Sequence, residues 1–264
     1  MTKFALVLEY IGTNYAGSQI QPDRKTIQSE LEKALSTLIG VSGLSPDGPL
    51  LNPRIKTIFS GRTDAGVHSL GQVVHFETDK PIVASRFVNS LNGLLPNDIS
   101  VKSVSQVADD FHAQLSAKYR VYRYKIVNRV QRSVWDGHSL LVREPLNIER
   151  MNRSLEYLLG KHDFTSFKSS KTDNPAKDCI VYKAVCNQIG DEIILEIAAN
   201  RFLYNMVRTI VGTLLLIERN KLQPEFMLDV LNAKDRTKAG PTISPDGLML
   251  VKVGYVPYEE DIHS

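Results

Sequence analysis

The chain has 264 residues, of which 42% are hydrophobic and 23% are charged. This length suits one large domain or two of ordinary size, and the composition is typical of a globular protein, which excludes a disordered or fibrous chain. The formal net charge of +3 is too small to indicate a partner by itself.

Cysteine usage and apolar runs bound the cellular setting. The two cysteines, Cys179 and Cys186, exclude a disulfide scaffold, and no CxxC pair is present to bind zinc. If both lie on one strand, their odd spacing predicts opposite faces. The apolar stretch 4–8 is too short for a signal-peptide core, and the run 210–217 is far below membrane-spanning length. The sequence therefore predicts a cytoplasmic protein, with neither secretion nor a membrane.

The first part of the chain predicts alternating strands and helices. In order, the patterns indicate a strand over 4–10, a helix over 27–38, strands over 54–59 and 72–76, a helix over 87–95 and a strand over 99–104. Thr26 is the expected N-cap of the first helix and Gly40 its stop, while Pro96 ends the second helix. This order is the split βαβ, or ferredoxin-like, unit.

The second part repeats that order with additions. The patterns indicate a strand over 117–128, a helix over 148–159 ending at Gly160, a hairpin of 179–187 and 193–199, a helix from an Asn200 cap to about Glu218, a short helix after Pro224, and a strand over 248–256. We therefore predict an α+β fold with ferredoxin-like halves at 1–108 and 109–264, their sheets side by side and an active cleft between them. The turn-rich segments 41–53 and 168–177 are expected to be surface loops.

The segment Ser60 to His68 (SGRTDAGVH) contains the first candidate for chemistry. Small residues on both sides of Asp64 let the backbone turn sharply and present one carboxylate at a strand end. A plain turn containing Asp remains an alternative, and no phosphate-binding GxxxxGK[ST] pattern is present. His68 and His75 have no further ligands at a useful spacing, so polar histidines without a metal are expected.

The strand 119–126 (YRVYRYKI) contains the second candidate. Alternation places Tyr122, Tyr124 and Ile126 on one face, and Arg123 and Lys125 on the other. A core strand explains this pattern, and a tyrosine that stacks on a base explains it too. No Asp or Glu occurs between 111 and 135, whereas cations and tyrosines interleave there, which favours RNA over a merely solvated basic face.

The third candidate is Arg208, a cation within the apolar stretch 200–212. An unpaired charge there would be costly, so a carboxylate or phosphate partner is expected. A structural salt bridge and a functional role both remain open.

Several motifs in register resemble the tRNA pseudouridine synthase A family. They are Gly61 to His68, Phe111-His112-Ala113, Tyr122-Arg123-Tyr124, Asp163 to Phe167, Met206-Val207-Arg208 with Ile210-Val211-Gly212, and Gly247-Leu248. The resemblance spans the chain from Tyr10 to about Val253.

This resemblance implies an isomerase that converts uridine to pseudouridine at positions 38, 39 and 40 of the tRNA anticodon stem-loop. It implies Asp64 as nucleophile, Tyr122 against the target base, Arg208 paired with the catalytic carboxylate, Arg62 holding the flipped-out nucleotide, and Leu248 packing in the active site. It further implies a homodimer that needs no metal, no cofactor and no other protein partner. We predict further RNA contacts from the following residues: Phe111, His112, Lys118, Arg120, Arg123 and Lys171.

Two positions depart from the family pattern. Members usually have Asp after the first-strand tyrosine and Trp near the following glycine, where this chain has Ile11 and Ser18. The segment 41–53 is longer than usual, and the loop after Phe167 is shorter. These differences bear on RNA contact and site preference and leave the catalytic set unchanged.

Two other classes of protein fit the pattern less well. A non-catalytic RNA-binding module would not need an isolated acid among Gly and Ala, and no RNP-type aromatic signature is present. A hydrolase with an Asp nucleophile would need a second carboxylate, and the motif offers only Asp64.

Overall fold

The computed structural model describes residues 1–40, 55–132, 134–169 and 177–262. The chain forms two compact units, Met1–Ala117 and Lys118–Ser264. Residues after 108 stay with the first unit because they bond to its sheet. Lys3 Nζ donates to the carbonyl oxygens of Asp109 and Phe111, and the Ala113 amide donates to His75 Nδ1.

The first unit has the element order expected of a ferredoxin-like unit. Its elements are β1 (Thr2–Tyr10), α1 (Ile27–Ile39), β2 (Ile58–Phe59), β3 (His68–Thr78), α2 (Ala84–Leu94) and β4 (Ile99–Gln106). The strands lie in the order β4-β1-β3 with β2 outside β3, and every pairing is antiparallel. The βαββαβ prediction is confirmed for this unit.

Strand β2 is shorter than the predicted 54–59 because the chain before it bonds to α1. The amide and hydroxyl of Thr57 both donate to Glu32 Oε1, at 2.9 and 3.0 Å, and the amide of Ile55 donates to Ser36 Oγ at 3.1 Å. A backbone whose amides serve a helix cannot also serve a strand ladder.

The core of the first unit lies between one sheet face and the two helices. Alternate residues of β1 point to that face, and α1 contributes one apolar stripe. Thr26 and Ser29 form a reciprocal capping box at the start of α1, and the helix ends at Gly40, as predicted. The main residues of this core are Leu6, Leu8, Ile27, Leu31, Leu35, Val74, Phe76 and Leu91.

The second unit repeats the strand order of the first. Its elements are β5 (Tyr119–Asn128), β6 (Leu140–Val142), α3 (Ile148–Glu156), β7 (Gly160–Asp163), β8 (Asp178–Ile189), β9 (Glu192–Ala199), α4 (Met206–Asn220), α5 (Phe226–Ala233), β10 (Leu248–Gly254) and α6 (Tyr258–Asp261). The strands lie in the order β10-β5-β9-β8-β7. With β7 set aside, this order places the fourth, first, third and second strands of a βαββαβ unit side by side, as β4-β1-β3-β2 does in the first unit.

The prediction that Asn200 caps the following helix is wrong. Helix α4 begins at Met206 after Asn205, which has a left-handed backbone (φ 64°). Asn200 ties two strands instead, because its Oδ1 accepts from the amide of Ile180 at 2.8 Å and its carbonyl oxygen accepts from Arg120 at 3.1 Å. Helix α3 also ends earlier than predicted, at Glu156, and Gly160 begins the additional strand β7.

The prediction that Cys179 and Cys186 face opposite ways is also wrong. Both lie on β8 and both are buried. A register shift between Val181 and Lys183 moves the alternation by one residue, so Val181 pairs with Ala199 and Cys186 pairs with Leu195, which share one face of β9.

The described part of the chain contains no helix that is long and apolar enough to cross a membrane. The loop between β5 and β6 exposes Trp135, the single tryptophan of the chain, with 92% of its surface accessible.

Candidate active site

Asp64 lies in the loop between β2 and β3, and buried polar side chains hold that loop from the β3 side. Gln72 is completely buried, and its Nε2 donates to the carbonyl oxygen of Gly61 at 2.9 Å. Its Oε1 accepts from Ser60 Oγ at 2.6 Å, and the amide of Ser60 donates to the carbonyl of Val73 at 2.8 Å. The start of the loop is therefore fixed to the strand by three hydrogen bonds.

The segment after β1 holds the same loop from the other side. Ser18, completely buried, accepts at Oγ from the Thr63 amide at 2.8 Å, and its own amide donates to the Thr63 carbonyl at 3.1 Å. The hydroxyls of Tyr10 and Thr63 are 2.8 Å apart and hydrogen-bonded. Burial raises the pKa of Tyr10, although its hydrogen bonds to Thr63 and Gln72 oppose the shift.

Before Asp64 the backbone packs closely against Gly17, and after Asp64 it forms a turn. A Cβ added at Gly17 (φ 109°) would stand 2.8 Å from the Thr63 carbonyl oxygen, so only glycine fits there. After Asp64 the chain turns, because the Val67 amide donates to the Asp64 carbonyl at 3.1 Å and Gly66 has a φ of 80°. Asp64 itself is half-buried at this turn, and Arg62 is exposed on the same loop.

His68 and His75 are buried, and the ring of each accepts a hydrogen bond, as expected of polar core histidines. His68 Nδ1 accepts from the Gly12 amide at 3.0 Å, and His75 Nδ1 accepts from the Ala113 amide at 3.1 Å. Within the described ranges, no group of three or more His, Cys, Asp or Glu side chains could hold a metal ion.

In the second unit, Tyr122 and Leu248 lie on one face of neighbouring strands. Tyr122 is directly opposite Leu250, and Tyr124 is opposite Leu248. Tyr124, Leu248 and Leu250 are buried, whereas Tyr122 is half-buried, and its ring meets that of Phe202 edge to face with centroids 4.9 Å apart. The face assignment predicted for Tyr122 and Tyr124 is confirmed.

Arg208, on the first turn of α4, belongs to the same region. Its Nε donates to the Ile243 carbonyl at 2.7 Å, and its guanidinium donates to Asn205 Oδ1 at 2.9 Å. Tyr124 donates to the next carbonyl, that of Ser244, at 2.8 Å. Burial raises the pKa of Tyr124, and the nearby Arg208 charge opposes that shift. Both of these partners of Arg208 are neutral oxygens, and the carboxylate or phosphate partner expected from the sequence stays a prediction.

The segment that holds Arg208 is fixed by a close backbone contact. A Cβ at Gly212 would stand 1.8 Å from the carbonyl oxygen of Pro241, so helix α4 meets residues 240–241 backbone to backbone. Arg208, Asn205 and Ile243 are therefore positioned by one rigid junction within the second unit.

Among the described residues, three of the six cations in the stretch 111–135, which has no Asp or Glu, form ion pairs with acids from outside it: Arg123, Lys125 and Arg129. Arg123 pairs with Glu196 at 2.7 Å, and Lys125 pairs with Glu192 at 2.7 Å and with Asp136 at 3.2 Å. Burial would raise the pKa of Glu196, but the hydrogen bonds from Lys183 and Arg123 lower it overall. The stretch is therefore less basic in three dimensions than in sequence.

The remaining candidates for RNA contact differ in exposure. Lys118 and Arg132 are exposed, whereas Arg120 is half-buried and donates to the Asn200 carbonyl, and burial lowers its pKa. Lys171 and most of the segment 168–177 lie outside the described residues, as does the segment 41–53.

Phe111 and His112 are held on the first unit by His75. The His75 ring meets those of His112 and Phe111 edge to face, at centroid distances of 5.0 and 6.1 Å. Burial, together with the charges of His112 and Lys3, lowers the pKa of His75 to about 4. His75 is therefore neutral at pH 7.

Sequence reasoning missed the polar frame behind Asp64. Tyr10 and Gln72 interrupt apolar strand faces, since Tyr10 follows Leu6 and Leu8 in the alternation of β1 and Gln72 is directly opposite Leu8. A polar residue at such a position signals a buried hydrogen bond, and this signal was available. Ser18 gave only the signal of a departure from the family pattern; it is buried behind the loop, while Ile11 is exposed.

The chain matches a family model described as tRNA pseudouridine synthase over residues 6–115 and 155–256. The fold and the motifs thus define an RNA-modifying α+β protein, and the chain belongs to the tRNA pseudouridine synthase family.

Three curated relatives named tRNA pseudouridine synthase A illustrate the similarity. The protein of an Exiguobacterium species is 41% identical over 97% of this chain and 98% of its own length. That of a Thermoanaerobacter species is 41% identical over 97% of this chain and 100% of its own, and that of Nitrosomonas eutropha is 42% identical over 96% and 87%.

Among solved structures, the crystal structure of a Cbf5–Nop10–Gar1 complex matches at 12% identity with a TM-score of 0.39. The match covers 96% of this chain and 59% of that chain. A likeness at this level carries no argument about function.

Proposed function

We propose that this protein isomerises uridine to pseudouridine in the anticodon stem-loop of tRNA, at positions 38, 39 and 40. The observation that carries the proposal is the family membership over nearly the whole chain, with Asp64 on a loop that buried side chains hold on both sides. A carboxylate that has to attack a substrate benefits from such a fixed backbone.

The proposed roles follow the chemistry of the isomerisation. The enzyme must break the nitrogen–carbon glycosidic bond, turn the base, and join ring carbon 5 to the sugar. Asp64 starts the reaction, either by attacking the nucleoside or by promoting glycal formation. A proton then leaves carbon 5, and nitrogen 1, which has lost its bond to the sugar, takes up a proton, so the conjugated ring is restored. All heavy atoms stay within one nucleotide and the proton lost is balanced by the proton gained, so the reaction consumes no second substrate.

The remaining residues serve binding and orientation. The base must leave its stack before reaction, and Tyr122 offers an aromatic face held by Phe202. Arg62, exposed beside Asp64, holds the flipped nucleotide, and Leu248 packs in the active site. The pairing of Arg208 with the catalytic carboxylate stays a prediction, as do the RNA contacts of Phe111, His112, Lys118, Arg120, Arg123 and Lys171.

The deciding experiment maps pseudouridines at single-nucleotide resolution in unmodified tRNA transcripts after incubation with the pure protein. New pseudouridines confined to positions 38–40 support the proposal, with heat-treated protein as the blank. Modification only at other positions, or none under conditions where the protein is folded, contradicts it.

We further propose that the protein works as a homodimer in the cytoplasm without another protein partner, as the resemblance implies. Light scattering after size exclusion tests the dimer, because a single mass near that of one chain would contradict it.

A further inference from the structure

We propose that Ser18 is a positioning residue for Asp64, acting through the backbone of Thr63. This inference rests on the proposed function, because the orientation of the Asp64 carboxylate matters only if that carboxylate starts the reaction. Ser18 touches no reacting atom in this proposal; it fixes the residue that precedes the nucleophile.

The first support is the double contact between Ser18 and Thr63. The Thr63 amide donates to Ser18 Oγ at 2.8 Å, and the Ser18 amide donates to the Thr63 carbonyl at 3.1 Å. The backbone amide and carbonyl of Thr63, the residue before Asp64, are therefore both hydrogen-bonded to Ser18. Because Ser18 is completely buried and Thr63 nearly so, water does not replace these bonds.

The second support is that Ser18 is itself anchored on a helix. The carbonyl oxygens of Gly17 and Ser18 accept from the Ile27 and Gln28 amides, at 3.2 and 3.0 Å. These amides belong to the first turn of α1, where no carbonyl of the helix can satisfy them. The connection therefore runs from a capped helix through Ser18 and Thr63 to Asp64.

The third support is that the frame leaves little room for adjustment. Gly17 lies against the Thr63 carbonyl, as described above, and Tyr10 holds the Thr63 side chain. Ser18→Ala removes only the Oγ atom, which leaves the Thr63 amide without this acceptor. The backbone must then shift to find another one, and Asp64 shifts with it.

The expected result for Ser18→Ala is a fall in kcat of about 10- to 100-fold, because small displacements of a reacting group cost rate steeply. The KM and Kd for tRNA change little, since phosphate contacts dominate affinity. The matched control is Asn92→Ala, which removes two hydrogen bonds between α2 and Val101, in the same unit and away from the loop.

The experiment measures kcat, KM, melting temperature and amide hydrogen exchange of residues 60–67 for the full-length protein and both variants. Support is a lower kcat and faster exchange of this loop in Ser18→Ala, with neither change in Asn92→Ala. An unchanged kcat in Ser18→Ala overturns the proposal. So does a loss of kcat that both variants share in proportion to their loss of stability.

Hydrogen exchange separates this proposal from the proposed function. If the unchanged protein makes no pseudouridine, the function fails, and loop exchange that stays the same in Ser18→Ala overturns the positioning role as well. If Ser18→Ala does not fold, Ser18→Cys, which replaces the hydroxyl by a larger group that is a weaker acceptor, is measured instead with the same expected direction.

Discussion

Asp64 carries the charge that the proposed reaction needs, and an amide in its place keeps the shape of the side chain. We expect Asp64→Asn to reduce pseudouridine formation below detection, because the amide is a poor nucleophile. The affinity for tRNA should persist, since phosphate contacts dominate it. Activity, tRNA affinity and melting temperature are measured together. A folded variant that binds tRNA and still forms pseudouridine at an appreciable rate would show that Asp64 is not the nucleophile.

Tyr122 combines an aromatic face with a hydroxyl, and two substitutions separate them. If the hydroxyl accepts the proton from carbon 5, Tyr122→Phe should bind tRNA normally and stall after the glycosidic bond breaks. Tyr122→Leu should weaken both tRNA binding and the step after glycosidic cleavage, because it also removes the ring that packs against Phe202. Rapid-quench analysis of the nucleoside products distinguishes the variants. Near-normal turnover in Tyr122→Phe leaves Tyr122 with stacking alone.

Single residues show where sequence reasoning succeeds and where it fails. Thr26 and Gly40 are found at the helix ends as predicted, because capping depends on neighbours a few residues away. The faces of Cys179 and Cys186 are predicted wrongly, since a register shift within β8 depends on the partner strand. The hydroxyl of Ser18 meets the Thr63 amide only after folding, so no local pattern reveals it.

At the scale of elements, the segment 109–116 depends on one neutral imidazole of β3. His75 accepts the Ala113 amide only while Nδ1 is unprotonated, and its pKa is lowered to about 4 from an ordinary value of 6.5. Between these two pH values, His75 is therefore protonated in the unfolded chain and neutral in the folded chain. The contribution of His75 to the free energy of unfolding is therefore complete above pH 6.5 and is lost as the pH falls from 6.5 towards 4.

We expect His75→Gln to flatten this dependence, because an amide can accept the same hydrogen bond without titrating. Urea unfolding of both proteins at pH 7, 6, 5 and about 4 gives the comparison. The difference between the two proteins isolates His75 from its neighbours Glu77 and His112, which both proteins retain. Equal losses of stability in both proteins would contradict the assignment.

The second unit joins α3 to α4 through an ion pair in which the carboxylate of Glu218 is buried and Arg150 is partly exposed. Arg150 donates to Glu218 at 2.7 and 2.9 Å, and the Asn147 amide donates to the same carboxylate at 2.9 Å. Glu218→Gln should lower the free energy of unfolding by about 1–3 kcal/mol, because it weakens charge-assisted bonds in a buried place. The control is Glu144→Gln, which removes an exposed pair with Arg219 and should cost less than about 1 kcal/mol. Equal effects in denaturant unfolding would show that burial adds nothing.

At the scale of the whole molecule, the repeated strand order is the part of the fold that the sequence predicts best. Each βαββαβ order follows from period and turn signals, which are local. The additions β6 and β7 are short strands, and such elements depend on pairing partners more than on their own residues. The ion pairs of the β5 cations are likewise not visible in local sequence, because the acidic partners come from β9 and from the loop between β5 and β6.

Affinity for tRNA should fall as salt rises, because bound cations release counterions from the phosphates. Because Arg123 and Lys125 are engaged in ion pairs, β5 itself contributes less to the salt dependence of tRNA binding. The exposed cations on either side of the strand, Lys118 and Arg132, should contribute most of it. We expect Lys118→Gln and Arg132→Gln each to reduce the slope of log Kd against log salt by about 1. Arg123→Gln is the matched comparison and should change the slope less. Affinity that does not respond to salt would contradict a basic RNA surface.

The exposure of Trp135 determines what the intrinsic tryptophan fluorescence of this protein can report. Because the single indole is already in water in the native state, its emission maximum should barely move when the chain unfolds. Intrinsic fluorescence is then a poor monitor of denaturation, and far-ultraviolet circular dichroism is needed for the stability measurements above. The same indole becomes a clean optical reporter of whatever approaches the β5–β6 loop, since no buried tryptophan contributes a background. A titration with tRNA that quenches this emission would place RNA close to that loop.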